Sequence, residues 1–256
     1  MKFSTLNDAF WLKLWFSLKS EAAKNYLNYV WWLLEPALHV AVFYFVFGLI
    51  FQRGGEGFIA FLLCGQIPYL WFSRTVNNAA GSILGGRGLI QQMAIPTAFF
   101  PAVVVGKDAL KQTVVFAVLL LFLATQGAQP SWMWLTLPAV VFTQLLLVTG
   151  GALLVAAVTP FVPDVRFLIQ AGMMMLLFAS GIFYDYSELL SEQQQSFFLM
   201  NPVANLIVSY RNVLLHGDWP NWPGLFWISM LSGACIMGML IFYRRAAPVY
   251  ARLVVE

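Results

Sequence analysis

From Pro36 to Gln52 the sequence reads PALHVAVFYFVFGLIFQ, with no acidic or basic side chain apart from the imidazole of His39. Taken from Trp31 to Phe51, the run is long enough to cross the ~30 Å hydrocarbon core of a bilayer at ~1.5 Å per residue. The Glu35-Pro36 step suits the start of a helix. The missing N–H of proline costs little there, and a carboxylate lies near the positive end of the helix dipole. Glu35 and His39 are expected to face protein or water rather than lipid.

The rest of the chain follows the same rule. It is 61% hydrophobic and only 10% charged, with a mean hydropathy of +0.77, whereas a soluble domain carries about 25% charged residues. Regular period-2 alternation is missing, which argues against an outer-membrane barrel. Residues 1–20 show no small-residue cleavage site, so the first span is expected to stay attached. Cys64 and Cys235 both fall in apolar stretches and are read as buried free thiols, not a disulfide or metal pair.

Hydropathy and helix breakers predict an all-α integral membrane fold in a single domain over residues 1–256. Six transmembrane helices are expected at 31–51, 58–84, 102–126, 134–158, 167–184 and 222–243. Before them, residues 1–24 place Phe3, Leu6, Phe10 and Leu14 at helical spacing, bordered by Lys2, Lys13 and Lys19. This is the pattern of an interfacial amphipathic helix, or of one packed on the protein's flank. Pro68 interrupts the second span, which also carries Arg74, Asn77 and Asn78. In the third, Asp108 and Lys111 are spaced to pair. Between 185 and 221 two apolar pieces are too short to cross and are read as re-entrant or interfacial helices. Asn201-Pro202 marks a turn between them.

Charge chooses the orientation. With both termini cytoplasmic, the inner segments hold Lys2, Lys13, Lys19, Lys24, Arg87, Lys107, Lys111, Arg166, Arg244, Arg245 and Arg252. The outer segments hold only Arg53 and Arg211, an asymmetry that obeys the positive-inside rule. Trp132, Trp134, Trp219 and Trp222 then fall at outer span ends, where an aromatic belt belongs.

The ordered set of short motifs resembles a known family. It comprises Val30-Trp31-Trp32-Leu33-Leu34-Glu35-Pro36-Ala37-Leu38-His39 with Val46-Phe47-Gly48, Gly65-Gln66-Ile67-Pro68 with Trp71-Phe72-Ser73, and Gly88-Leu89-Ile90 with Ile95-Pro96. Phe161-Val162-Pro163-Asp164-Val165 and Asn201-Pro202 with Arg211 complete it. Together they resemble the ABC-2 type permeases that export capsular polysaccharide and O-antigen. The resemblance implies a half-channel in the bacterial inner membrane, paired with a second copy of itself and with two cytoplasmic nucleotide-binding ATPase subunits. The chain has no G-x-x-x-x-G-K-S/T phosphate loop, so ATP and Mg belong to the partner ATPase and no cofactor or metal is expected on this chain. Residues 85–98, holding Arg87, Leu89, Ile90, Gln91, Ile95 and Pro96, match the family's coupling segment. The implied cargo is a lipid-linked polysaccharide, with periplasmic or outer-membrane export proteins as further partners and no nucleic acid.

A sugar polymer needs a path that holds it weakly, and aromatic faces stack on sugar C–H faces while hydroxyls meet water. Tyr44, Trp71, Phe72 and Tyr184 are the expected channel-lining aromatics. Lys19, Lys24 and Arg87, near the inner mouth, are placed either to receive the carrier phosphate or to contact anionic headgroups. Asn201, Pro202 and Arg211 are expected to form the periplasmic re-entrant turn. Export of a drug or a lipid is the alternative cargo. A membrane-embedded glycan-modifying enzyme is the third reading, resting on Asp185, Glu188, Glu192 and His216, which lack metal-site spacing.

Overall fold

The computed structural model describes residues 3–24, 30, 34, 37–39, 41–42, 44–46, 57–92, 95–126 and 131–253. Most of the expected first span lies outside these residues; within it, 37–39, 41–42 and 44–46 are helical. Every described element is a helix. In chain order they are α1 (Phe3–Lys24), α2 (Phe58–Ala80), α3 (Ser82–Gly85), α4 (Arg87–Gln92) and α5 (Phe99–Thr125). A 3-10 turn (Trp132–Thr136) leads into α6 (Leu137–Val158), followed by α7 (Val165–Ala179) and the short α8 (Tyr186–Leu189) and α9 (Glu192–Phe198). The chain ends with α10 (Pro202–Arg211), a π-helical turn (Asn212–His216) and α11 (Trp222–Leu253).

Among the described residues, three helices are long and apolar enough to cross a membrane: Phe99–Thr125, Trp132–Val158 and Trp222–Tyr250. These correspond to the expected third, fourth and sixth spans. α2 has the length, at 23 residues, but Gln66, Arg74, Asn77 and Asn78 dilute its apolar character. α7, in the place of the expected fifth span, is a 15-residue helix, short of the ~20 residues a crossing needs.

α2 runs through the middle of the bundle, packed against α5, α6 and α10. Two glutamines of neighbouring helices bind carbonyls at its proline. Gln144 of α6 donates to the Pro68 carbonyl at 2.7 Å and Gln112 of α5 donates to the Ile67 carbonyl at 3.5 Å. Tyr210 of α10 donates to the Gln144 side-chain oxygen at 2.6 Å, so four helices meet at the proline. Ala60, Cys64, Ile67, Leu119, Leu123, Val140, Leu206 and Ile228 close the apolar core around them. Both cysteines are free.

α11 continues past Tyr243, where the sequence reading ends the last span, through Arg244, Arg245 and Pro248 to Leu253. The reason is tertiary. Tyr243 donates to the Leu153 carbonyl at 2.8 Å, and Tyr250 donates to the Ala157 carbonyl at 2.7 Å. Two phenols thus bind the exit end of α11 along the last turns of α6, where hydropathy alone sees only the arginine pair.

α1 packs on the flank of the bundle, the second of the two readings offered for it. Phe10, Leu14 and Leu18 pack on the start of α5 beside Phe99 and Val103. The opposite side exposes Trp11, Leu12, Trp15 and Phe16. Polar contacts fix its end. Glu21 lies 2.8 Å from Lys107 Nζ and also pairs with Lys111. Buried Asp108 sits 3.5 Å from Lys111 and accepts a hydrogen bond from Asn78 at 3.0 Å. The four charges cancel, which is what allows them to sit together where α1 packs on α5.

Burial pushes the Glu21 carboxyl up, but the hydrogen bonds and charges of Lys107 and Lys111 outweigh it and hold it below the usual range. A depressed carboxyl supports docking above its ordinary pKa of about 4.3 and loses that support as pH falls through the lower folded value. α1 should therefore stay docked from pH 5 to 8. Glu21→Gln should loosen it at neutral pH, with the difference from the natural chain vanishing as pH falls through the lowered Glu21 value, visible at pH 7 as at least a tenfold faster amide exchange in residues 7–21 without loss of the α5–α6 core. Unchanged exchange would show that the apolar face alone holds the helix.

Candidate functional site

The end of the bundle where α2 begins and α5 ends is organised by one buried guanidinium. Arg211 closes α10 at 5% exposure. It donates to the carbonyls of Gly181 and Ile182, each at 2.8 Å, and to that of Phe61 at 3.4 Å. Its carbon lies 3.4 Å from the centre of the Phe61 ring. A planar cation can bridge adjacent carbonyls and stack on an aromatic face at once, which a lysine cannot do. The approach needs room at Gly65, where a Cβ would meet the guanidinium at 2.9 Å.

The segment that Arg211 holds is itself a tight turn. Gly181 adopts φ +69°, a conformation L side chains rarely take, and a Cβ there would meet the Phe198 ring at 2.8 Å. Asn201 secures the other side. Its side-chain oxygen accepts from the Val203 and Ala204 amides, capping α10, and its amide donates to Ala179 O and Ser180 Oγ. Pro202 occupies the first turn, as its missing N–H allows. Asn201, Pro202 and Arg211, expected as one turn, thus lie at the two ends of α10, and Asn201 and Arg211 grip the same chain segment after α7.

The gripped segment forms a wall. Phe183, Tyr184, Asp185, Glu188 and Leu189 face the first residues of α2 and the last of α5 across a cavity of 1180 Å³. Tyr44, Phe58, Phe61, Phe122, Gln126 and Leu215 are among the residues that complete it. Among the described lining residues, six aromatic rings, two carboxylates and one amide give a mixed polar and apolar surface able to accept hydrogen bonds from hydroxyls. Tyr184 donates to the Phe178 carbonyl at 3.2 Å, and Asp185 Oδ1 accepts from the Ser187 amide at 2.9 Å and hydroxyl at 2.7 Å. Neighbouring Tyr186 stacks on Phe198 with ring centres 5.1 Å apart. Burial, then the Asp185 charge, pushes the Tyr186 phenol above its ordinary value.

Of the four aromatics expected to line a channel, Tyr44 and Tyr184 reach this cavity. Trp71 and Phe72 lie deeper. Trp71 is buried and meets Phe116 edge-on with ring centres 6.3 Å apart, while half-buried Phe72 packs with Val76 and Val155. Phe58, Phe61, Phe122 and Phe183 also line the cavity; Phe58 and Phe61 open α2, Phe122 lies in the last turn of α5, and Phe183 sits in the segment after α7. Of the four polar residues in the enzyme reading, Asp185 and Glu188 share the cavity wall. Glu192 opens α9 and His216 ends the π-helical turn.

The opposite end, where α2 finishes, has a different construction. α3 and α4 form a bent pair at Gly86, where a Cβ would sit 2.2 Å from the Phe100 ring. The φ of −89° at Gly86 is ordinary, so close approach, and no special backbone conformation, is what requires glycine. Leu89, Ile90 and Ile95 turn half-buried toward the core formed by Phe99, Phe100 and Ile83. Arg87, Gln91 and Pro96 are exposed, so the segment presents a polar outer face on an anchored apolar base. Lys19 is also exposed, on α1; the Lys24 side chain lies outside the described residues.

Comparison with known proteins matches the geometry. The family model for the ABC-2 type transporter matches residues 8–215. The O-antigen export system permease protein RfbA of Klebsiella pneumoniae is 25% identical over 202 residues, covering 78% of this chain and 77% of that protein. The corresponding RfbA of Myxococcus xanthus is 24% identical over 216 residues, 84% of this chain and 83% of that one. The polysialic acid transport protein KpsM of Escherichia coli is 24% identical over 234 residues, 89% of each chain. With a family match that runs from α1 through α10, this all-helical, membrane-spanning chain belongs to the ABC-2 type transporter family.

Proposed function

We propose that the chain is the permease subunit of an exporter that moves a lipid-linked polysaccharide from cytoplasm to periplasm across the bacterial inner membrane. The observation that carries this reading is the outer cavity, whose 1180 Å³ and ring-lined walls suit a sugar chain in transit. Tyr and Phe faces hold pyranose C–H faces by stacking, and the carboxylates and Gln126 take hydroxyl protons without a strong anchor. Export permeases of O-antigen and polysialic acid among the relatives support the same cargo class.

In this reading six spans place both termini inside, and 185–221 dips into the outer leaflet as short re-entrant helices. Two copies enclose the path. Each docks a separate nucleotide-binding ATPase subunit, which binds ATP and Mg, against the exposed face of Arg87–Gln92 and Pro96. Lys19, Lys24 and Arg87 stand where the phosphate of the lipid carrier would arrive. Trp71 and Phe72 line the path only if the helices part during transport.

Deletion of the chain should remove glycan from the cell surface and leave polymer inside. A drug-sensitive strain with normal surface glycan would favour the drug or lipid cargo instead. Restoring the chain as Tyr44→Ala/Tyr184→Ala should return surface polymer reduced roughly five- to thirtyfold, the loss expected for two stacking partners at about 0.5–1 kcal/mol each. Full restoration would take the polymer path away from this cavity.

A further inference from the structure

Pro160 leaves the last turn of α6 incomplete. A proline has no N–H, so the Ala156 carbonyl lacks the backbone donor that residue 160 would bring. The Phe161 amide, next in line for Ala157, turns to the Val158 carbonyl at 3.1 Å instead. The Ala157 carbonyl is met from another helix. The Tyr250 phenol of α11 donates to it at 2.7 Å, and two turns away the Tyr243 phenol donates to the Leu153 carbonyl at 2.8 Å. Both rings are buried, Tyr250 at 0% and Tyr243 at 3% exposure. With half-buried Ala246 between them they form one inward stripe on a stretch of α11 whose Arg244, Arg245, Pro248 and Val249 are exposed. Tyr250 also meets Phe161 edge-on with ring centres 5.2 Å apart, so the chain just beyond Pro160 is tied to the same ring.

This fastening belongs to the core that carries the α3–α4 segment. Leu89, Ile90 and Ile95 pack on the same apolar cluster as Leu153, Ala157, Tyr243 and Tyr250. A displacement of that segment therefore bears on the end of α6, at the turn that Pro160 leaves short of backbone bonds. A turn that frays absorbs movement, whereas a turn held by side chains of a second helix passes it on. We infer that residues 243–250 of α11 are a strap that carries movement of the α3–α4 segment into α6 and α11 as one body, with Tyr243 and Tyr250 as positioning residues for transport. The inference rests on the docking of the ATPase subunit against Arg87–Gln92 proposed above, which supplies the movement.

The test is hydrogen exchange on the full chain in complex with its ATPase subunit in lipid nanodiscs, with and without trapping by ATP and vanadate. In the natural chain, trapping should change exchange in 87–96, 150–159 and 243–250 together. Tyr243→Phe/Tyr250→Phe keeps both rings and removes both hydroxyls. Without nucleotide it should exchange about tenfold faster in 155–159, the weight of a lost hydrogen bond. Its response to trapping should be confined to 87–96. Restored to the deletion strain, it should lower surface polymer roughly three- to tenfold while ATP hydrolysis by the purified complex continues. A natural chain in which 87–96 responds to trapping and 150–159 does not overturns the strap and leaves the docking standing. So does a double variant that exports as the natural chain does. No response in 87–96 overturns the docking and the inference with it. Should the double variant fail to assemble, the joint response of the natural chain decides alone.

Discussion

Arg211→Ala should cost the protein its outer end and stop polymer reaching the cell surface. Truncation strands three carbonyls in a dry site, those of Gly181, Ile182 and Phe61, and removes the cation from the Phe61 ring. A hydrogen bond to a charged group contributes about 1.5–3 kcal/mol and an orphaned acceptor costs about 1–3 kcal/mol, so a loss of roughly 3–5 kcal/mol is expected. Purified in detergent, the variant should melt several degrees lower, and hydrogen exchange should accelerate first in 180–190 and 199–211. Arg211→Lys should recover only part of the loss, because a single ammonium on a flexible stem cannot fork to two adjacent carbonyls and stack on a ring. Full recovery by lysine would show that charge alone, without the planar geometry, holds the wall.

Gly86→Ala should disable transport from the opposite end of the molecule. Its Cβ would enter the Phe100 ring at 2.2 Å, and overpacking of this kind costs about 1–3 kcal/mol and forces one partner to move. Phe100 sits in the core with Ile83 and Leu153, so the segment Arg87–Gln92 is the part free to tilt. Under the proposed docking of the ATPase on that segment, ATP hydrolysis should continue in the complex while surface polymer falls at least tenfold. Gly85→Ala and Gly88→Ala are the matched controls. A Cβ at either position meets nothing within 4 Å, and alanine removes the entropic cost of glycine, so both should export as well as the natural chain. A failure of all three together would point to glycine flexibility across the segment, and not to the Phe100 contact.

Several elements were legible before any coordinates. The expected span 102–126 coincides with α5 to within three residues, and Trp132 and Trp134, expected in an aromatic belt, lie in the turn that leads into the next helix. The Asp108–Lys111 pair is present at 3.5 Å. The cap at Asn201-Pro202 follows from residue chemistry alone, since asparagine offers a side-chain acceptor and proline needs no amide partner. The site was legible only in part. Tyr44 and Tyr184 were chosen as amphipathic rings, and they do reach the cavity; the four phenylalanines beside them look the same as lipid-facing filler in a sequence with 23 of them. Glu21 gave no signal, because its partners Lys107 and Lys111 are far away in the chain.

The sequence by itself determined that this chain is helical, lives in a bilayer and carries a family's ordered motifs, because hydropathy, helix breakers and charge asymmetry are local properties that summation along the chain preserves. Only the tertiary structure decided which polar groups complete one another across helices: Gln144 with Pro68, Tyr250 with Ala157, Arg211 with Gly181 and Ile182, Glu21 with its two lysines. In a solvent that offers no hydrogen bonds, each buried polar group must find its partner inside the protein, and the identity of that partner depends on how the helices pack.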